Sequence, residues 1–409
     1  MSVRVLTFGC RLNAYESQVI RGLADGTTGP EVIVVNTCAV TGEAERQARQ
    51  AIRRAHRENP GVEIVVTGCA AQVAPAAWAV LPGVARVLGN SEKLRPESWR
   101  PGARSAVGDI MLARETAPQL ITEFGGRTRA FVQVQQGCDY RCTFCIIPLG
   151  RGPSRSVPLG AIVEQVRTLL ARGWREVVLT GVDITSYGGD LPGRPGLGQA
   201  VRRLLAEVPE LPRLRLSSLD PAGIDEELWR LLGEEPRLMP HLHLSVQAGA
   251  DLILKRMKRR HRRADIDAVI ARARALRPGI AIGADLIAGF PTESEAAFAE
   301  TLALVQETEI PFLHVFPYSE RPGTPAARMP AVPTPVRRER AARLREAGRA
   351  NAARFFAAQI GRIATVLAES EEGGHSEHFA PVRITATPGA LLRARVRAAN
   401  DDGLLAEPA

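Results

Sequence analysis

Lysine is almost missing from this chain. Of its 53 lysines and arginines only Lys93, Lys255 and Lys258 are lysines, so the positive charge is carried by guanidinium groups. Aromatic residues make up 5% of the chain, and there are only six cysteines in 409 residues. So few cysteines in so long a chain exclude a disulfide scaffold, which belongs to small secreted domains. No apolar run approaches the ~18 residues of a membrane span, so no membrane is expected to be involved. The opening Met-Ser-Val-Arg-Val-Leu-Thr-Phe-Gly-Cys lacks the apolar core and cleavage site of a secretory leader. The expectation is a cytoplasmic protein in a reducing compartment, where thiolates remain available to metal.

What is present fits a globular chain of two or three domains, 45% hydrophobic and 24% charged. The net charge of +9 favours an anionic partner such as RNA. An Arg-rich, Ala-rich composition of this kind also arises from a GC-rich genome, so the motifs must decide.

The stretch 137–151 organises the chain. It sets Cys138, Cys142 and Cys145 in a Cys-x3-Cys-x2-Cys pattern with Phe144 before the last cysteine. Ordinary [4Fe–4S] sites use four cysteines. Three on one tight loop leave one iron open to another ligand. A zinc knuckle would need a fourth Cys or His nearby, and residues 146–155 supply neither.

The other three cysteines share one design. Strand-like segments 3–8, 32–35 and 62–66 run into Gly9-Cys10, Asn36-Thr37-Cys38 and Thr67-Gly68-Cys69, and helical patterns at 15–23 and 42–58 lie between them. Strand–helix alternation predicts a doubly wound parallel sheet with helices on both faces. The carboxyl ends of such strands share one edge, where ligands bind. Cys10, Cys38 and Cys69 would then meet on one rim and hold a second three-cysteine cluster. The plainer alternative makes them small apolar packing residues.

Beyond a link at 101–124, six strand-like segments recur at 130–135, 176–180, 214–218, 242–246, 280–287 and 312–317, with helical patterns at 159–172, 198–207, 225–233, 265–277 and 293–308. Six βα units suit an open (β/α)6 barrel, whose working residues lie at strand C-termini. The polar residues there are Thr180, Gly181 and Asp183, Ser217 and Ser218, Ser245 and Gln247, and Asp285. The run 255–263 holds seven basic residues and is a candidate for RNA phosphates, or else a solvated surface. Pro330, Pro333 and Pro335 mark a boundary. A helix follows at 337–359, then short strands at 363–368, 382–386, 391–397 and 404–406.

The cysteine loop resembles that of the radical S-adenosylmethionine (SAM) superfamily, and the preceding three-cysteine domain makes the whole resemble the radical SAM methylthiotransferases. Gly9-Cys10-Arg11-Leu12-Asn13-Ala14-Tyr15-Glu16-Ser17 and His314-Val315-Phe316-Pro317-Tyr318-Ser319 are similar to the MtaB type within that family. The resemblance implies an N-terminal methylthiotransferase domain at 1–118, a radical SAM barrel at 125–328, a linker helix at 329–358 and a TRAM-like β-barrel at 359–409. It implies two [4Fe–4S] clusters and SAM as cofactors, with Phe144, the strand-end residues above and Arg256 near SAM. The implied partners are a tRNA anticodon loop, an external electron donor and a sulfur source. The implied activity adds a methylthio group to C2 of N6-threonylcarbamoyladenosine in tRNA. The alternatives are action on N6-isopentenyladenosine or on a ribosomal-protein aspartate, or an iron–sulfur RNA-binding or redox-sensing protein without turnover.

Overall fold

A computed structural model describes residues 3–24, 31–100, 102–114 and 128–409. The C-terminal part of the expected link, 115–124, lies outside the described residues. The N-terminal sheet is built from β1 (Val3–Thr7), β2 (Val32–Thr37), β3 (Glu63–Gly68) and β4 (Val84–Val87), all parallel and in the order β1-β2-β3-β4. Its connecting helices are α1 (Arg11–Ala24), α2 (Gly42–Glu58), α3 (Cys69–Val73) and α4 (Pro75–Ala79). β2 is buried at every residue and β3 at all but its first, because both faces of the sheet are covered there. Val32, Val34 and Val65 pack against Ile20 of α1 and Trp99, and Ile33, Val35, Ile64 and Val66 against Ile52 of α2 and Trp78 of α4. The short strand β4 and the one-turn helices α3 and α4 were not foreseen, since five residues carry too little periodicity to declare themselves.

Next comes an arc of six parallel strands. β5 (Arg129–Gln133), β8 (Glu176–Thr180) and β9 (Arg213–Leu216) form one sheet, and β10 (His241–Gln247), β11 (Ala281–Ala288) and β12 (Phe312–Pro317) another. The sheets join where Leu219 N donates to His243 O and Ser245 N to Leu219 O, both at 2.8 Å. A short antiparallel pair, β6 (Gln135–Gln136) and β7 (Arg155–Ser156), flanks α5 (Ile147–Arg151). The crossover helices are α6 (Leu159–Ala171), α7 (Leu197–Glu207), α8 (Glu226–Glu234), α9 (Asp251–Arg256), α10 (Arg263–Leu276) and α11 (Glu295–Thr308). β5 and β12 do not pair with each other, so the barrel is open on one side.

Helix α12 (Thr334–Ala357) begins three residues before the sequence suggests, with Pro335 in its first turn. Proline suits that position because no intrahelical partner is lost there. The final unit is a closed barrel of β13 (Ile363–Ser370), β14 (Gly373–Ser376), β15 (Pro381–Arg383), β16 (Leu391–Asn400) and β17 (Gly403–Pro408). Strand β14 was not expected, because Gly-Gly-His-Ser has poor strand propensity. A Cβ at Gly374 would stand 1.8 Å from Leu367 O, so the backbone approach demands glycine there.

The closed barrel plugs the base of the arc. Arg213 Nη2 and Arg215 Nη2 donate to Ser376 O at 2.9 and 2.8 Å, and both guanidinium groups also engage buried Glu176 at 2.8 and 2.9 Å. The Phe379 ring lies 4.7 Å from the Arg129 guanidinium and 5.2 Å from that of Arg215. Among the described residues no helix is long and apolar enough to cross a membrane.

Two facing thiol triads

The parallel register that pairs Thr7 with Asn36 and Asn36 with Thr67 brings the ends of β1, β2 and β3 level. Their cysteines consequently meet on one rim. Gly9 takes φ +94° and leaves no room for a side chain, since a Cβ there would lie 2.6 Å from Cys38 Sγ. The turns are tied by polar side chains. Asn13 Nδ2 donates to Phe8 O at 2.7 Å and Thr37 O at 3.0 Å, and Thr37 Oγ1 donates to Thr67 O at 2.6 Å. Burial, followed by the proximity of Cys69 and Cys10, pushes the Cys38 thiol up to about 12.

The second triad sits on the loop between β6 and α5. Cys138 N donates to Gly152 O at 3.0 Å, and Cys145 N to Cys142 O at 3.1 Å. Thr143 pins the loop to the barrel by donating from N to Met257 O and from Oγ1 to Arg256 O, at 3.1 and 2.8 Å. Burial raises the Cys138 thiol to about 12 and the Cys145 thiol to about 11. Arg259 Nη1 reaches Cys142 Sγ at 3.5 Å while Nη2 bonds Asp220 and Ser245 O, each at 2.9 Å. The sequence reading missed Arg259. Its only signal was membership of the basic run.

The triads face each other. A Cβ at Gly150, in α5, would stand 3.3 Å from Cys69 Cβ, and Cys69 is close enough to raise the Cys145 thiol further. Arg151 stitches the junction, donating to Glu16 at 2.7 and 3.0 Å and to Asn13 Oδ1 at 2.7 Å. Lys93 Nζ completes the buried cluster at 2.6 Å from Glu16 Oε2. Burial works to raise the Glu16 carboxyl, but Arg151 and Lys93 overcome it and hold the group at about 2. On the other flank Gly42 N donates to Ser319 Oγ at 3.0 Å and Arg321 pairs with Glu45 at 3.1 Å. Between the flanks lies a cleft of about 260 Å³, walled by Val40, Thr41, Cys145, Gln247, Asp285 and Phe316.

The strand-end candidates divide into groups. Phe144 and Gln247 line the cleft, with Gln247 at φ +72° and Phe144 edge-on to Phe290 at 6.5 Å between ring centres. Thr180 is buried, and its carbonyl is already taken by Val134 N at 2.9 Å. Gly181 sits against Gln135, where a Cβ would meet the carbonyl oxygen at 2.7 Å. Asp183 accepts from Thr185 on Oδ1, and its Oδ2 is buried with no hydrogen-bond partner among the described residues. Ser217 is held by its backbone to Leu179 O at 2.9 Å, and Ser218 Oγ donates to Asp285 Oδ2 at 3.4 Å. Asp285 also takes His314 Nδ1 at 3.3 Å and stands 3.0 Å from His243 Nε2.

Arg256 is bonded to Thr292 O and Oγ1 at 3.2 and 2.7 Å. Most of the basic run is likewise engaged inside the protein: Arg259 and Arg260 pair with Asp220, and Arg263 with Asp267 and Glu307. Only Lys255, Lys258 and Arg262 of that run are exposed with no charged side-chain partner shown among the described residues.

Residues 132–305 match the Radical SAM superfamily and residues 2–89 the Uncharacterized protein family UPF0004. The threonylcarbamoyladenosine tRNA methylthiotransferase MtaB of Rickettsia prowazekii is 51% identical over 93% of this chain and 90% of its own length. The MtaB of Thermotoga maritima is 34% identical over 99% of this chain and 96% of its own. A tRNA-2-methylthio-N(6)-dimethylallyladenosine synthase of Sorangium cellulosum is 36% identical over 91% and 82%. Among solved structures, the radical SAM methyltransferase TsrM of Kitasatospora setae matches with a TM-score of 0.54 at 17% identity, covering 78% of this chain and 67% of that one, a likeness of fold. Near-full-length identity to the MtaB enzymes, on a chain that sets a three-cysteine sheet rim against a radical SAM loop, shows that it belongs to the radical SAM methylthiotransferase family, MtaB type.

Proposed function

We propose that this chain adds a methylthio group to C2 of N6-threonylcarbamoyladenosine, just 3′ of the anticodon, in cytoplasmic tRNA. The observation that carries the reading is the pair of thiol triads meeting at Gly150 and Cys69. Family membership brings SAM and one [4Fe–4S] cluster. The residues suit those groups and a second cluster. All six thiols are free, they fall into two sets of three, and an arginine stands beside each set to offset thiolate charge.

In this reading Cys138, Cys142 and Cys145 hold the cluster that binds SAM, and Cys10, Cys38 and Cys69 hold the one that carries sulfur. When bound, SAM and its cluster supply a carbon radical able to take the unactivated C2 hydrogen, chemistry beyond any acid or base side chain. The protein's own work is placement. Asp183 Oδ2 offers a buried acceptor to the polar head of SAM, and Thr180, Gly181, Ser217 and Ser218 shape the bed beneath it. Phe144 and Gln247 close the cleft wall, and Arg256 positions the cluster loop through Thr143. The stitched junction fixes the distance from radical to sulfur, and the cleft keeps bulk water from both. An electron donor and a sulfur source act from outside.

Anaerobic reconstitution should give about eight irons per chain, and about four once Cys10, Cys38 and Cys69 are all replaced by alanine. That variant should still release 5′-deoxyadenosine from SAM while making no methylthio product. Four irons in the unaltered chain would remove the second cluster. Nucleoside mass spectrometry of a deletion strain identifies the substrate: loss of the methylthio form of threonylcarbamoyladenosine is expected, and loss of the isopentenyladenosine product instead would reassign it.

A further inference from the structure

Strand β12 is one of the two free edges of the arc, and the side chains on its inward face are more open than those of β11 beside it. His314 and Phe316 alternate with buried Val315, so both point to the inner side. His314 leaves 54% of its side chain accessible and Phe316 is 43% exposed, where Asp285 and Ile287 beside them are half-buried. In the parallel register Asp285 lies beside His314 and Ile287 beside Phe316. Phe316 walls the cleft next to Cys145 and Gln247, and His314 stands one side-chain repeat away along the strand.

His314 is not free to turn. Its Nδ1 donates to Asp285 Oδ1 at 3.3 Å, and its ring lies 4.7 Å from that of His243, which approaches the same oxygen at 3.0 Å. Burial opposes ionisation of Asp285, but the two imidazoles overcome it and hold the carboxyl well below the usual range. A ring anchored through Nδ1 to an anion presents Nε2 to the opening.

We infer that β12 reads the modified base: Phe316 stacks on the adenine, and His314 Nε2–H bonds the carboxylate of the substituent on N6. Aromatic faces hold an unstacked base without regard to its edges. An imidazole set between Asp285 and a second carboxylate picks out an acidic substituent from an apolar one. The inference rests on the proposed function and names what that site selects.

The test uses the reconstituted full chain and two anticodon stem-loops, one with N6-threonylcarbamoyladenosine and one with the same arm as its carboxamide. His314→Ala should lower kcat/KM on the acidic stem-loop by about 10- to 100-fold, the range expected of one charged hydrogen bond. The carboxamide, poor at the outset, should fall by less, about 2- to 10-fold, the range of a neutral hydrogen bond. His314→Lys should recover part of the loss, and SAM cleavage without RNA should be unchanged. Equal losses on both stem-loops overturn the inference and leave the proposed function intact. No methylthio product from the unaltered chain on the acidic stem-loop overturns both.

Discussion

Three ionic side chains with almost no access to water, Glu16, Lys93 and Arg151, meet at the junction of the sheet and the barrel. Removing one member of a buried ionic cluster leaves the others uncompensated, at a cost of about 3–5 kcal/mol. Glu16→Gln should therefore unfold at markedly lower urea than the unaltered apo chain at pH 7. Its pH dependence has a definite sign. The folded Glu16 carboxyl is held at about 2, below the 4.5 of a free one, so its stabilisation is full above that value. It is lost as the pH falls from there toward 2, and the gap between the two proteins should narrow below about pH 4. An equal gap at pH 7 and pH 3 would show that Glu16 is not ionised at the junction. Asn13 and Glu16 were legible only as letters of a motif. Their partners lie 138 and 135 residues away in sequence, and no periodicity reports a contact of that range.

At the scale of elements, the cysteines were the most readable feature, because a parallel sheet places every strand end on the same edge. The six arc strands were readable for a similar reason, each being a short strand-like segment between helical patterns. What escaped the reading was short or glycine-rich: β4, the β6–β7 pair, β14, and helices α3 to α5 and α9. Yet α5 is where the triads touch, with Gly150 against Cys69. A larger side chain at that position wedges α3 from α5 without altering any cysteine. Gly150→Val should accordingly retain a full complement of iron and cleave SAM, but its methylthio product should fall by about 100-fold, the cost of a misplacement near 1 Å. The ratio of 5′-deoxyadenosine to methylthio product is the measurement, and an unchanged ratio would mean that this spacing does not matter.

On the scale of the whole molecule, the C-terminal barrel was expected from its strands, but its seat was not. It caps the arc through buried arginines grouped on Glu176, and its Phe379 lies between two guanidinium groups. Glu176→Gln leaves Arg213 and Arg215 without their anion, and should cost about 3–5 kcal/mol and lower the melting temperature by several degrees. A merely tethered RNA-binding module would show no such loss, which differential scanning calorimetry distinguishes.

The two flanking stitches, Arg151 to Glu16 and Arg321 to Glu45, have a consequence for the order of events in a catalytic cycle. Ion pairs on both margins oppose separation of the two halves. Under the proposed function, sulfur delivered to the cleft beside β12 would share that opening with the nucleic acid. A shared opening serves one visitor at a time, so a sulfur source that used it would arrive after the modified RNA had left.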